Sequence, residues 1–271
     1  MTETDGMATG LAYRAIMAVD IERSAGRGNT AFFAAREALD AALRGAFSEA
    51  GIAWGAGHHH DLGDGLRVTL PADTPKARLL HPLVPELAAR LRAHNRTAAE
   101  EARVRVRIAM HAGDVRLGPA GAAGGWPFEI LARLLDAAPA RAALAQAPSS
   151  VVAAVLVSRH FHDETVPHGY PGIDRERFQR VAFTAKEYAG EAWLHLAGHP
   201  TAPPWAGAGA TGVPAPAPAP EPERPASPAS PASEMPQVGG VSHMHNTASG
   251  HATLFASQNG GQHIHQHGNG A

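Results

Sequence analysis

Short apolar runs and longer amphipathic stretches alternate along the first part of the chain. Residues 13–21 form a short apolar run that contains an acid near its end, which predicts a buried strand. Residues 30–50 carry apolar side chains at mostly helical spacing and predict a helix. Residues 52–60 and 66–70 predict two short strands, because the intervening Asp61-Leu62-Gly63-Asp64-Gly65 is a hairpin signal.

The alternation continues through the next hundred or so residues. Residues 75–95 predict a helix, residues 103–115 alternate at their start and predict a half-exposed strand, and residues 127–146 predict an Ala/Leu-rich helix. Further strands are predicted at 151–157, 180–183 and 191–196. The order is βαββαβ with αβ additions. We therefore expect a ferredoxin-like α+β fold, an α/β sandwich whose antiparallel or mixed sheet carries its helices on one face.

Composition changes sharply near residue 198. Twelve of the 22 prolines lie between Pro200 and Pro236, many in alternation with Ala, and such segments form extended spacers. The residues that follow include six of the 17 histidines but no Asp, Glu, Lys or Arg. We therefore divide the chain into a disordered N-terminus (1–11), a folded domain (12–197), a Pro/Ala-rich linker (198–236) and an uncharged His/Asn/Gln-rich tail (237–271).

Charge and cysteine usage exclude several classes of protein. The chain has no cysteine, which excludes a disulfide scaffold, a Cys-ligated zinc site and a thiol nucleophile. Its net charge of −2 offers no basic excess, so we expect no nucleic-acid partner. The N-terminus is acidic and no apolar run is long enough to span a bilayer, so we expect a cytoplasmic protein without a membrane segment.

Two acidic residues form the sharpest constellation. Asp20 lies near the end of the first apolar strand, and Asp64 lies in the glycine-flanked hairpin tip. In a ferredoxin-like sheet the first strand lies beside the hairpin strand, so the two carboxylates become neighbours. Oxygen ligands suit Mg²⁺ or Mn²⁺, and a pair of such ions can assist in-line attack on a triphosphate. The alternative is that Asp20 caps a strand end and Asp64 only shapes the turn.

The loop over residues 22–29 is a second candidate. Gly26 and Gly28 allow a tight turn, after which the helix N-terminus offers free N–H groups to a phosphate, and Arg23 and Arg27 would add positive charge. Ser24 and Gly26 are the nucleotide-binding candidates in this loop.

Four features together resemble the class III nucleotide cyclase catalytic domain. They are Val19-Asp20-Ile21, the Leu62-Gly63-Asp64-Gly65 hairpin, the strand over 107–114 (RIAMHAGD), and a helix containing Ala132-Arg133-Leu134. The resemblance covers about residues 12–197. It looks specifically like actinobacterial cyclase-homology proteins that carry a Pro/Ala-rich C-terminal extension.

The resemblance implies roles for individual residues. Asp20, Asp64 and the carbonyl of Ile21 would hold Mg²⁺ or Mn²⁺, and Arg133 would stabilise the transition state across a homodimer interface. In such enzymes two metals assist the ribose 3′-oxygen to attack the α-phosphate of ATP or GTP. The products are a 3′,5′-cyclic nucleotide and pyrophosphate.

Three positions depart from that pattern. His60 stands where a purine-reading lysine is usual, Trp126-Pro127 covers the second purine-reading position, and Glu129 replaces an asparagine four residues before Arg133. We therefore expect an intact metal half and a degenerate base-reading half, in a signalling protein that binds a metal–nucleoside triphosphate but is catalytically impaired or atypical. The alternatives are an active nucleotidyl cyclase and a purely structural dimerisation module.

Two histidine-rich stretches remain. In the run His58-His59-His60-Asp61 alternate side chains face opposite ways, so His58 and His60 share one face and no closed zinc site is expected; His111 is expected to be a hydrogen-bonded core histidine. In the tail, residues 246–265 are uncharged, rich in Asn, Gln, Ser and Thr, and free of proline. That composition favours either disorder or a cross-β motif for self-assembly or for a protein partner.

Overall fold

The computed structural model describes residues 10–118, 123–186 and 188–199. The strands are β1 (Leu11–Ile21), β2 (His58–Asp61), β3 (Gly65–Thr69), β4 (Val106–Leu117), β5 (Ala123–Gly124), β6 (Ala153–Ser158), β7 (Gln179–Ala185) and β8 (Tyr188–Ala197). The helices are α1 (Asn29–Glu49), α2 (Val84–Thr97), α3 (Trp126–Leu135), α4 (Ala138–Gln146) and α5 (Arg159–Asp163). The order βαββαβ and the α+β class are confirmed.

One mixed sheet organises these elements, in the order β2-β3-β1-β4-β6-β8-β7, with β5 paired to β4. The β4–β6 pair is parallel, and the other pairs are antiparallel. Strand β1 lies between β3 and β4, which explains why its sequence is apolar on both faces. Since β1 is followed by α1 and then by the β2–β3 hairpin, the sheet brings the end of β1 next to the hairpin tip.

The expectation of helices on one face is wrong, because helices cover both faces of the sheet. Alternate residues of β1 belong to different apolar clusters, with Val19 in the cluster that α1 and α2 close and Ala18 in the cluster that α3 and α4 close. Because successive side chains of a strand point to opposite faces, β1 contributes side chains to both apolar clusters. Side chains of β1 at even positions, including Asp20, face the α3 side.

Three predicted elements differ from the structure. The predicted helix at 127–146 is two helices, since the chain is extended at Ala137 and Pro139 lies in the first turn of α4. The predicted strand at 52–60 is a 3₁₀ turn at Trp54–Ala56 and only then β2. The predicted helix at 75–95 becomes regular only from Val84, because a π-helical turn at Leu79–Leu83 contains an extended residue.

The strand predicted to be half-exposed is β4, and most of it is buried on both faces. The alternation at its start comes from Arg105 and Arg107, whose side chains pair with acids instead of facing water. No helix among the described residues has the length and apolarity that crossing a bilayer requires. The predicted N-terminal segment up to residue 9, the linker from residue 200 and the whole tail lie outside the described residues.

Candidate functional site

The two acidic residues singled out in the sequence meet at one edge of the sheet. Asp20 of β1 lies opposite Gly65 of β3 in the antiparallel register, and the N–H of Ile21 donates to the carbonyl of Asp64 at 3.1 Å. A side chain on Gly65 would overlap the carbonyl oxygen of Val19. The glycine after Asp64 therefore lets β3 approach β1 closely enough to set the aspartates side by side.

Asp20 is neutralised from the neighbouring strand. Its register partner on β4 is Arg107, whose Nε donates to Oδ1 at 2.9 Å while Nη2 donates to Oδ2. Both side chains are largely buried. Burial raises the pKa of Asp20 to about 6 despite the opposing effect of Arg107, and the charges of Asp64 and Asp136 act in the same direction as burial. The carboxylate of Asp20 is therefore fixed in position, and the Arg107 guanidinium already pairs with it.

Asp64 keeps more of its capacity as an acceptor. The hydroxyl of Ser24 donates to its Oδ2 at 2.7 Å, which links the hairpin tip to the loop after β1. Ser24 and Asp64 were both singled out in the sequence, and the structure brings them into direct contact across 40 residues of chain. One oxygen of a half-buried carboxylate therefore faces a serine hydroxyl.

Arg27 fixes the loop between β1 and α1. Its guanidinium donates to the backbone carbonyls of Glu22 at 2.6 Å, Arg103 at 2.6 Å and Arg23 at 2.7 Å. Gly26 has a φ of +81°, which a glycine adopts without strain. The sequence predicts that Arg27 adds positive charge to this loop, and the structure shows that its guanidinium also shapes the loop by bonding backbone carbonyls.

The oxygen ligands near Asp20 and Asp64 meet part of what a divalent cation needs. Two carboxylates and the adjacent Ile21 carbonyl are hard oxygen ligands of the kind that Mg²⁺ and Mn²⁺ take. Within residues 10–118, 123–186 and 188–199, no group of three or more His, Cys, Asp or Glu side chains could hold a metal. The ligand types fit, but a metal would need the backbone oxygen or the substrate to complete its shell and would compete with Arg107 for Asp20.

The residues assigned to the base-reading half lie on β2 and α3. His60 is exposed on β2, Trp126 is 60% exposed at the start of α3, and Glu129 is exposed one turn before the half-buried Arg133. Helical spacing of four places Glu129 and Arg133 on one side of α3. The register of β2 with β3 and of β3 with β1 places His60 on the α3 side of the sheet.

Sequence reasoning missed Arg67 on β3, which is paired in register with His60 on β2 and contacts Phe128 on α3. Arg67 is the register partner of both Ala18 on β1 and His60 on β2, so it faces the α3 side of the sheet. Its Cζ lies 4.3 Å from the ring centroid of Phe128 on α3. The hydrophobic alternation of β3 marks residue 67 as a position on the α3 face, but the ring contact depends on α3, which is distant in the sequence.

A second polar cluster occupies the opposite end of β1. The hydroxyl of Tyr13 donates to Glu164 at 2.7 Å and lies 2.7 Å from Nε2 of His160. Lys76 bonds the same carboxylate at 3.2 Å and lies over the Tyr13 ring. As expected, His111 is a hydrogen-bonded core histidine, 2.7 Å from the hydroxyl of Ser158.

Three cavities of about 440, 760 and 460 Å³ lie elsewhere, and neither Asp20 nor Asp64 lines any of them. The largest is formed by the loop before α2 and the segment after α5, with Lys76, Glu164 and His168 on its wall. His59 in the histidine run packs against Trp54 in a tilted arrangement with a centroid distance of 4.1 Å, so its ring is used in packing.

Solved structures share this fold. An adenylate/guanylate cyclase/hydrolase from Silicibacter pomeroyi aligns over 69% of this chain and 98% of its own, with 18% identity and a TM-score of 0.50. The guanylyl cyclase Cya2 aligns over 74% of this chain and 98% of its own, with 15% identity and a TM-score of 0.47. No protein-family model and no curated protein sequence matches the chain. The described domain has a class III cyclase-like fold.

Proposed function

We propose that this cyclase-like domain binds a nucleoside triphosphate together with Mg²⁺ or Mn²⁺ at a homodimer interface, in a signalling protein with impaired or atypical catalysis. The observation that carries the proposal is the meeting of Asp20 and Asp64 at one sheet edge, beside the loop that Arg27 holds. Asp20, Asp64 and the Ile21 carbonyl would hold the metal, which supplies charge neutralisation for the triphosphate. Ser24 and Gly26 would contact the phosphates from the adjoining loop.

The positions of the remaining residues support the dimer. Arg133 is on α3, and the carboxylates are at the end of β1 and in the hairpin. In the proposal, Arg133 of one copy serves the nucleotide held by the carboxylates of another copy. Impaired catalysis follows from Glu129, because an exposed carboxylate near developing phosphate charge repels it.

A second candidate, a working nucleotidyl cyclase, rests on a separate observation. Asp20, Asp64, Ser24 and Arg133 are all present, so the implied metal ligands and the implied cation are retained in the sequence. This candidate converts ATP or GTP to a 3′,5′-cyclic nucleotide and pyrophosphate. It requires a residue other than His60 or Glu129 to recognise the base.

Binding and turnover are measured on the full chain with Mn²⁺ and each of ATP and GTP. We expect nucleotide binding by titration calorimetry that Asp64→Asn reduces at least about tenfold, since removing a charged ligand costs more than about 1.4 kcal/mol. Asp114→Asn, which neutralises an exposed acid on β4, is the matched control. Binding that is indifferent to Asp64 would refute the proposal. Cyclic product from the wild type that Asp64→Asn abolishes would establish the second candidate.

The rest of the chain completes the proposed organisation. We propose that the Pro/Ala-rich linker (198–236) tethers a tail whose residues 246–265 mediate self-assembly or bind a protein partner, in a cytoplasmic protein without nucleic-acid ligands. The support is compositional, as the tail is uncharged and rich in amides. A peptide of residues 240–271 is expected to form thioflavin-positive fibres. A persistent random coil at high concentration would contradict self-assembly.

A further inference from the structure

We propose that Trp205 docks in the cavity of about 440 Å³ beside the end of β8, so that the start of the Pro/Ala-rich linker is anchored on the folded domain. The inference concerns a surface away from the two aspartates and does not depend on nucleotide binding. Its basis is an apolar cavity at the point where the described chain leaves the sheet, with a tryptophan six residues after His199.

The cavity opens into one of the two apolar clusters. Ile173 and Phe178 on its wall are half-buried and pack against the cluster that α1 and α2 close, and Pro85 and Gly172 are exposed at its rim. Three buried members of the same cluster also line it: Leu80, Val84 and Ala197. The cavity is therefore an accessible gap at the edge of a core, and an apolar side chain that fills it leaves water.

The chain leaves β8 at the wall of this cavity. Ala197 and Gly198 line it, and the N–H of His199 donates to the carbonyl of Leu196 at 3.1 Å. Gly198 has a φ of +88°, which a turn of this kind requires at its third residue. The turn reverses the chain direction beside the cavity, so the residues that follow begin next to it.

The segment after His199 offers one large apolar side chain. Residues 200–212 read PTAPPWAGAGATG, in which Trp205 is the only aromatic residue and no Leu, Ile, Val or Met accompanies it. Six extended residues reach about 19 Å at about 3.1 Å per residue, which is sufficient for a cavity whose wall includes Gly198. The two prolines before Trp205 restrict the backbone, so docking removes less conformational freedom.

Tether length favours Trp205 over the apolar residues of the tail. The next Phe, Tyr or Trp along the chain is Phe255, which is 56 residues after His199, against six for Trp205. Effective concentration falls with about the −3/2 power of tether length, which gives Trp205 an advantage of roughly thirtyfold. A short tether holds the effective concentration in about the millimolar range, so even a weak contact fills the cavity.

One polar group on the wall suits a tryptophan. Nδ1 of His195 lies 3.3 Å from the carbonyl oxygen of Arg177, and His195 also lines the cavity. Because a carbonyl only accepts, the proton is on Nδ1 and Nε2 is an acceptor. Burial lowers the pKa of His195 to about 4, which keeps the ring neutral at pH 7. The indole N–H is a donor, so it complements Nε2 in a way that phenylalanine or leucine does not.

The test observes the indole N–H of Trp205 by NMR in the full chain, with the signal assigned by its loss in Trp205→Phe. We expect its exchange with water to be about tenfold slower than in a free peptide of residues 200–212, the ratio of docked to free segment that about 1.4 kcal/mol gives. Ile173→Ser, which makes the wall polar, should bring the exchange close to the peptide rate. Ile130→Ser, which changes a half-buried isoleucine packed against the other apolar cluster, is the matched control and should leave it slow.

Nuclear Overhauser contacts between the Trp205 indole and the methyl groups of Ile173 and Val84 are also expected in the wild type, and they decide the question if Ile173→Ser fails to fold. Exchange as fast as in the peptide would overturn the inference. Contacts from Phe255 to the same methyl groups would assign the cavity to the tail, and contacts seen only between differently labelled copies would assign it to a second chain; either outcome overturns docking of Trp205 in its own chain. Asp64→Asn should leave the protection unchanged, so neither result affects the proposed function.

Discussion

The two ends of strand β1 carry polar clusters of similar size but different character. At one end Tyr13, His160, Glu164 and Lys76 bond one another, and Oε2 of Glu164 accepts from both the Tyr13 hydroxyl and Lys76. At the other end Asp20 is paired with Arg107, and the one side-chain bond of Asp64 among the described residues comes from the Ser24 hydroxyl. The first cluster, called closed, pairs one carboxylate with one lysine, whereas the second, called open, has two carboxylates and one arginine.

The difference separates polar groups that stabilise the fold from polar groups that can bind a ligand. A closed cluster balances its charges when the chain folds, so it contributes mainly to stability. An open cluster retains groups whose hydrogen-bonding capacity is completed only by binding. Four variants compare the two ends, and their expected effects on stability differ in size.

The largest effect is expected for Arg107→Met at the open end. The change leaves Asp20 buried without a counter-charge, which costs about 3–5 kcal/mol of unfolding free energy in comparable buried pairs. Urea unfolding measures the loss. Arg159→Met, which removes an arginine from the exposed pair with Asp163, is the control and should cost less than about 1 kcal/mol.

The effect of Mn²⁺ on the melting temperature tests whether the open end binds a metal. If Asp20 and Asp64 can share a cation, Mn²⁺ should raise the melting temperature of Arg107→Met more than that of the wild type, because the metal replaces the missing charge. The double variant Arg107→Met with Asp20→Asn should show no such gain. Equal shifts in all three proteins would argue against a metal at this edge.

The next effect is the pH dependence of the stability that His111 contributes beside His160 of the closed end. Burial lowers the pKa of His111 to about 4, and the neighbouring His160 acts in the same direction while Glu164 opposes it. Between pH 6.5 and 4 the unfolded chain takes up the proton first, so the stability from neutral His111 is complete above pH 6.5 and is lost as pH falls. The stability difference between wild type and His111→Gln should shrink by about 2 kcal/mol from pH 6.5 to 4.5. A difference constant with pH would contradict a neutral buried imidazole.

Ser158→Ala should cost about 1–2 kcal/mol, because the hydroxyl both caps α5 and bonds His111. Chemical unfolding at pH 7 measures it. Ser158→Thr keeps the hydroxyl and should recover most of the loss. If alanine and threonine were equally damaging, packing at this buried position would explain the effect instead of hydrogen bonding.

The smallest effect is expected for Tyr13→Phe. The phenol hydroxyl bonds Glu164 and His160, but the residue is partly exposed, so water can replace those bonds and the cost should be about 1 kcal/mol or less. The same variant should leave nucleotide affinity unchanged. A loss of affinity would mean that the two ends of β1 are coupled, and would break the distinction drawn between them.

The sequence is informative where one local signal decides the structure. The apolar run at 13–21 and the glycine-flanked hairpin predict β1 and the β2–β3 turn, because alternation and turn chemistry are local. The break at Ala137 inside an Ala/Leu-rich stretch was missed although Pro139 signals a new helix start. The spacing of apolar residues stays helical across that break, so periodicity alone joins α3 to α4.

The site was predictable only in part for a related reason. Asp20 and Asp64 could be paired because a familiar strand order makes them neighbours. The Asp20–Arg107 pair and the Arg67–Phe128 contact depend on the register between distant segments, and a shift of one residue would turn every side chain to the other face. Arg107 belongs to the strand motif at 107–114 and Arg67 to the strand predicted at 66–70, but neither local pattern predicts which side chain the arginine contacts.

The clamp that Arg27 forms has a kinetic consequence. Four backbone carbonyls from two segments converge on one guanidinium, so the β1–α1 loop acquires its shape when the chain folds. A ligand arriving there meets a preorganised loop and loses little conformational entropy on association. Encounter with this loop should therefore proceed without an isomerisation step, and its rate should follow ligand concentration linearly. Cutting the clamp with Arg27→Ala should introduce a saturating, concentration-independent phase.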